Sequence, residues 1–280
     1  MRTPIALLAV AAALAAAGAA NAAGPASVEV KDAVARVTVI PEARADIKVE
    51  IVQGNPRLPL WISTVMGRTI VDGRLGRKLN GCHGEGDNAI VHVRGVGDVR
   101  WADMPRVVIR TPRAVNIDTG GAVWGMIGRS ASVKLGAAGC GDWRIGNVEG
   151  ALTISQAGSG DTRAGSAAEA KIRLAMSGDI ATGEIRGAVQ IVMAGSGDVS
   201  VASVAGPLDV HTAGSGNVQI AAGRATAMTV AIAGSGNVDF GGVADSLKAR
   251  IAGSGDVRAR EVRGPVSKSI IGSGGVIVGE

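Results

Sequence analysis

Tyrosine is absent from this 280-residue chain, phenylalanine occurs once and tryptophan four times, so aromatic side chains make up only 2% of it. A doubly wound α/β domain of this length normally buries many rings, and the shortage argues against an ordinary enzyme core. Histidine is nearly as scarce, at positions 83, 92 and 211. There is no Gly-x-Ser-x-Gly, no phosphate loop and no pair of metal ligands at helical spacing, so nothing nominates a nucleophile or a cofactor. Beyond the first 22 residues no apolar run approaches the roughly 18 residues needed to span a bilayer. Charged residues are 19% with a net charge of +5, which residues 23–137 carry; residues 138–280 sum to −1. The basic residues do not cluster with stacking aromatics, so nucleic acid is not an expected partner. What fills the chain is 46% hydrophobic residues, mostly Ala, Val, Ile and Leu, and 43 glycines. That is too much apolar side chain for disorder.

Residues 1–22 read as a signal peptide. Arg2 supplies a positive start, Ile5 to Ala17 is apolar, and Ala20-Asn21-Ala22 is a small-x-small cleavage signal. No cysteine stands at the junction to take a lipid, so the expected product is exported, without a transmembrane segment, to the periplasm or the cell surface.

The rest of the chain repeats. Ala-Gly-Ser-Gly followed by Asp or Asn recurs, closing at Asp161, Asp198, Asn217, Asn237 and Asp256, with weaker copies closing at Asp142, Asp179 and Gly275. The intervals are 19, 18, 19, 19, 20, 19 and 19 residues. So steady a period marks a solenoid. After the slot comes an apolar residue (Trp143, Ile180, Val199, Val218, Val238, Val257, Val276) and then, mostly, a polar one (Arg144, Arg163, Ser200, Gln219, Asp239, Arg258), which is the alternation of a strand. A second alternating run turns Leu152/Ile154, Ile172/Leu174/Met176, Val189/Ile191/Met193, Leu208/Val210, Met228/Val230/Ile232 and Leu247/Ala249/Ile251 inward. About 19 residues at roughly 3.3 Å each close a loop of about 60 Å, with no room for a crossover helix. The reading is all-β: a single-stranded parallel β-helix with rungs of about 19 residues over 95–280, preceded by an N-terminal β segment at 23–94 that caps it or forms its first rungs. Gly-Ser-Gly-Asp is then the corner, where glycine accepts positive φ and Asp or Asn bonds its own backbone beyond the bend.

This ladder, with Arg106-Val-Val-Ile-Arg-Thr-Pro112 ahead of it and Gly264-Pro265 before Gly272-Ser-Gly274, resembles the bacterial GIN domain, the family described as an autotransporter adhesin head domain. The resemblance runs over residues 28–278. It implies an exported β-helical domain without known catalysis and lends no active-site residues. An autotransporter also needs a C-terminal membrane barrel of long alternating strands, and since the chain closes within its last repeat it is not expected to secrete itself.

Several residues are candidates for more than folding. Asp142, Asp161, Asp179 and Asp198 would stack one rung apart, at a repulsion of about 1 kcal/mol per pair in water. Corner N–H groups or a calcium ion would have to absorb the charge. The nine-residue period of known calcium ladders is missing, and Asn217 and Asn237 share the slot with Asp256, so hydrogen bonding at the corner is the expectation and a calcium-stabilised repeat the alternative. Cys82 and Cys140 are expected to form a disulfide, as an even pair in an exported chain; His83 beside Cys82 leaves a metal pair too few ligands. Arg68, Arg74, Arg77, Lys78, Arg94, Arg100, Arg106, Arg110 and Arg113, interleaved with Asp72, Asp98 and Asp103, read as a solvated basic face that anionic sugars or lipid phosphates would otherwise occupy. Trp61, Trp101, Trp124 and Trp143 either cap the wide end or line a sugar-stacking face.

The functional expectation is a non-catalytic envelope protein, adhesin-like or a scaffold, presenting a repetitive surface to a glycan, a surface polymer or a protein. A polysaccharide hydrolase or lyase is the alternative, with Asp209 and Asp239 as the outward carboxylates. The final rung, from Gly272, carries no polar cap and could pair end to end with a second copy.

Overall fold

A computed structural model describes residues 26–84 and 86–279. The segment 1–22, read above as a signal peptide, lies outside the described residues, as do residues 23–25. The architecture is a parallel β-solenoid of about nine turns with rungs of about 19 residues, almost entirely strand.

The first rung is β1 (Ser27–Glu42), a long strand that turns a corner near Asp32. β2 (Lys48–Gln53), β3 (Trp61–Val65) and β4 (Arg68–Asp72) follow, then the three-stranded antiparallel sheet of β5 (Leu79–His83), β6 (Ile90–Val93) and β7 (Gly97–Arg100). β8 (Arg106–Pro112) and β9 (Ala114–Ile127) return to the solenoid. β1 lies between β9 on one side and β4 and β8 on the other, all parallel to it. β2 then runs antiparallel along β8, and β3 antiparallel along β4. A reversal of strand direction therefore closes the N-terminal end, where a parallel stack would present an unpaired edge.

From β9 onward each rung contributes to two strand columns, which merge into one continuous strand at Val199–Gly214 and at Val218–Gly234. The longer column runs from β9 through β10 (Ser132–Gly139) and its successors to the strand Val266–Gly272, always parallel and in register. The shorter column begins with the second half of β9, continues in Trp143–Ile145, and ends at Val276–Val278. Each rung would leave apolar faces open above and below, and stacking covers both. The inward positions expected from the alternation, among them Leu152, Ile154, Ile172, Leu174, Val189, Ile191, Val210, Val230 and Ile251, fall in one continuous core. Aliphatic side chains suffice because the interior is only one side chain deep from each wall.

One inward expectation fails. Met176 is 64% exposed and has φ of 85°, since register aligns it with Gly158 and Gly195 at the corner rather than with the inward Met193. The parity that buries Ile172 and Leu174 ends where the backbone turns.

A second, smaller core holds the antiparallel sheet against the flank. Val34, Ala122 and Trp124, on the outward side of β1 and β9, are covered by Leu58, Leu75, Val91, Val93, Val99 and Met104.

Candidate functional site

The repeated corner is built by two glycines and an Asx residue. In the first glycine column, Gly139, Gly158, Gly195, Gly214, Gly234, Gly253 and Gly272 have φ between 123° and 154°. A Cβ there would also overlap the carbonyl oxygen of the residue one rung earlier. The second column, from Gly141 through Gly160, Gly178 and Gly197 to Gly274, is glycine for that close approach alone.

The Asx side chains work differently from the expected local turn. Each Oδ1 accepts from the backbone N–H of the slot one rung further on. Asp161 donates to Asp142 at 3.0 Å, Asp179 to Asp161 at 3.0 Å, Asp198 to Asp179 at 2.8 Å and Asn217 to Asp198 at 2.7 Å. Asn237, Asp256 and Gly275 continue the series at 3.1, 2.9 and 2.8 Å. At this corner the shorter strands have not yet begun, so the side chains take over the ladder that the backbone resumes one residue later. Asn217 and Asn237 also pass their Nδ2 hydrogens back to Asp198 and Asn217. Each carboxylate thus spends one oxygen on a backbone donor, and the other oxygen of Asp256 meets Arg258 at 2.8 Å. Among the described residues no group of three or more His, Cys, Asp or Glu side chains is arranged to hold a metal ion.

Cys82 on β5 and Cys140 at the first corner are joined, with Cα atoms 6.2 Å apart, tying the antiparallel sheet to the solenoid across 58 residues of chain.

The tryptophans do not form one face. Trp143 is buried inside the solenoid, seated over Gly125, where any Cβ would meet its ring. Trp124 and Trp101 meet edge to face at 5.8 Å beneath the flanking sheet. Trp61 is on the outside, under the Arg74 guanidinium at 4.2 Å. The basic residues are equally dispersed. Arg68 pairs with Glu29, Arg110 with Glu42 and Arg113 with Glu149, while Arg77, Lys78, Arg94 and Arg100 are exposed on the flank.

The carboxylates considered for hydrolysis lie on different walls. Asp209 projects from the longer column, 3.0 Å from His211, and Asp239 from the shorter column, 3.6 Å from Arg258. His92 stands 2.8 Å from Asp98 on the flanking sheet, far from both in topology. Standing on different walls, the two carboxylates do not face a common substrate position for acid–base work.

The feature that the sequence reading passed over is the alanine opening each Ala-Gly-Ser-Gly. Register stacks Ala138, Ala157, Ala175, Ala194, Ala213, Ala233 and Ala252 on consecutive rungs, with Ile271 last. Ala138, Ala157, Ala194, Ala213, Ala233 and Ala252 are exposed. Beside them runs the corner column of Ser159, Ser177, Ser196, Ser215, Ser235, Ser254 and Ser273, and on the other side Val192, His211, Ala231 and Arg250. Eight rungs at about 4.8 Å make a strip of roughly 34 Å, alanine on seven of them and isoleucine on the last. A shallow depression of 430 Å³ lies along it, lined by Val192, Ala194, Ala213, Ala233, Ala252 and Ile271 among others. The signal was in the repeat unit itself, as a small residue recurring at an outward-facing position on every rung but the last.

Among the described residues no helix is long and apolar enough to cross a membrane. No curated protein sequence matches the chain. The crystal structure described as "Putative lipid binding protein from Parabacteroides distasonis ATCC 8503" superimposes with a TM-score of 0.53 at 17% identity, over 91% of this chain and 92% of that one, a likeness of fold. Residues 171–279, the rungs from Lys171 onward, match the family model described as "Putative auto-transporter adhesin, head GIN domain", the family that the Gly-Ser-Gly-Asx ladder resembles.

Proposed function

We propose that this chain is an exported, non-catalytic envelope protein that binds a flat, extended partner through the alanine strip, as an adhesin head or envelope scaffold does. The observation that carries the reading is the strip itself: alanine repeated in register over seven rungs, with Ile271 on the eighth, next to a serine column of hydroxyls. A smooth surface of that kind favours a partner with its own regular repeat, such as a glycan chain, because each rung adds the same weak contact and the contacts sum along the polymer. Apolar contact comes from the alanines and hydrogen bonds from the serines. The family description of an adhesin head domain agrees with a binding role.

The test uses the labelled mature chain and isolated envelope fractions: outer-membrane vesicles, peptidoglycan sacculi and intact cells. Saturable binding to at least one fraction is expected, weakened tenfold or more by Ala213→Glu with Ala233→Glu. Ser200→Glu with Gln219→Glu, on the other wall, is expected to leave it unchanged. Absence of binding to every fraction, or equal binding by both variants, overturns the reading. Protease shaving of intact cells separates the two locations: loss of the chain places it at the surface, full protection in the periplasm.

A further inference from the structure

A cleft of 280 Å³ opens between the shorter-strand wall of the solenoid and the edge of the flanking sheet, on a different face from the alanine strip. Its lining includes Arg36 on β1, Arg106 on β8, Arg144 on the strand Trp143–Ile145, Trp101, and the carboxylates of Asp87 and Asp142. We propose that this cleft binds a singly charged oxyanion on a ligand of about monosaccharide size, held by the guanidinium groups of Arg36 and Arg106, with Arg144 two strands further along the same wall.

Three observations lead there. Arg36 and Arg106 are direct register partners on adjacent parallel strands, which sets two guanidinium side chains about 4.8 Å apart at their roots. Like charges directly opposite each other on a sheet are destabilising, and an anion between them removes the penalty. Secondly, the donors of Arg36 are poorly used. Its Nε–H is buried without a partner, and among the described residues its hydrogen bonds come only from Nη2, to Gln53 at 3.3 Å and the Met104 carbonyl at 3.5 Å. The Nη1 hydrogens also carry no bond among the described residues, and it is these outer donors, not the enclosed Nε–H, that an acceptor entering the cleft would engage. Thirdly, Arg36 is held in place: its guanidinium lies 5.1 Å from the centre of the Trp101 ring, which itself packs on Trp124. Burial first, and then the charge of Arg106, lower the Arg36 pKa from its ordinary value, while Asp87 opposes them. Three arginines against Asp87 and Asp142 leave one net positive charge in the lining, and Asp142 already gives one oxygen to the Asp161 N–H. That balance favours a monoanion, a carboxylate or a phosphodiester, and guanidinium groups recognise both by paired hydrogen bonds.

Calorimetric titration of the mature chain at low ionic strength tests this with three probes: sodium glucuronate, glycerophosphoglycerol and glucose. At least one anion is expected to bind at a single site, with glucose showing no heat. Arg106→Gln, an exposed position whose change spares the core, is expected to raise Kd tenfold or more, and Arg36→Gln at least as much. Stronger binding of glucuronate assigns the site to acidic sugars; stronger binding of the phosphodiester assigns it to headgroups or phosphate-linked polymers. Failure of both anions to bind, or an unchanged Kd in Arg106→Gln, overturns the proposal. Because the alanine strip is untouched by these substitutions, envelope binding through that strip stands or falls separately.

Discussion

Thr162 donates its hydroxyl to the side-chain carbonyl of Gln156 at 2.5 Å inside the solenoid, and Gln156 passes its own amide hydrogen to the Gly160 carbonyl. Both residues break the apolar pattern in the same turn. Gln156 occupies the column of Leu174 and Met193, and Thr162 that of Trp143 and Ile180, and each is almost fully buried. A buried polar group costs little when it is paired and much when it is not.

A double-mutant cycle follows from that pairing. Thr162→Val alone orphans the Gln156 carbonyl, and Gln156→Leu alone orphans the Thr162 hydroxyl; each is expected to cost about 1–3 kcal/mol in urea unfolding. The double variant is expected to cost no more than Gln156→Leu alone, because the Thr162 hydroxyl leaves with its acceptor and only the Gly160 carbonyl stays without its donor. Additive losses in the double variant would show that the two side chains act independently.

Met176 supplies a second prediction. It holds a left-handed backbone at a position where Gly195, Gly214 and Gly234 stand in the following rungs. Such a conformation costs a side chain about 1–2 kcal/mol, partly offset by the greater chain entropy of glycine. Met176→Gly is therefore expected to raise stability by up to about 1 kcal/mol. Gly195→Ala, where a Cβ meets the Met176 carbonyl, is expected to lose more than about 2 kcal/mol. Thermal unfolding of the two variants checks the opposite signs.

Reduction of the Cys82–Cys140 bond frees a 58-residue loop. The chain-entropy relation sets the loss at about 4 kcal/mol at most. It falls on the small flank core and not on the distant rungs, which share no buried contacts with it. Reductant, or Cys82→Ser, is expected to shift tryptophan emission to the red as Trp124 and Trp101 gain water, and to expose residues 79–100 to proteolysis. The fragment from Leu152 onward should keep its protection; uniform digestion of the whole chain would show that the flank is required to hold the solenoid together.

The corner ladder makes a prediction about calcium. Each carboxylate in the Asp142 to Asp198 series has one oxygen committed to a backbone N–H, so the multidentate oxygen cage calcium needs is not assembled. Millimolar calcium is expected to leave the melting temperature unchanged. Asn217→Ala, by contrast, leaves the Asn237 N–H without its acceptor and is expected to cost about 1–3 kcal/mol. A saturable rise in melting temperature with calcium would revive the cation-stabilised alternative.

A period of about 19 residues and an alternation of two were enough to specify stacked parallel strands, the inward columns and the glycine corners, because each is a one-dimensional pattern that a solenoid preserves in space. Local geometry was legible to the same degree: Gly-Ser-Gly must turn. What lay beyond the sequence depended on neighbours between rungs or between β1 and residues far along the chain. The Asx side chains reach one rung forward, which no pattern within a single repeat distinguishes from a local turn. Met176 has the parity of a core residue, and only its alignment with Gly158 and Gly195 puts it outside. Arg36 and Arg106 are 70 positions apart and became neighbours because β1 is inserted between β8 and β9, a pairing that depends on the free energy of the assembled N-terminal end. The alanine strip sits between the two cases: its members were visible in every repeat, but only the in-register stacking turned scattered alanines into a surface.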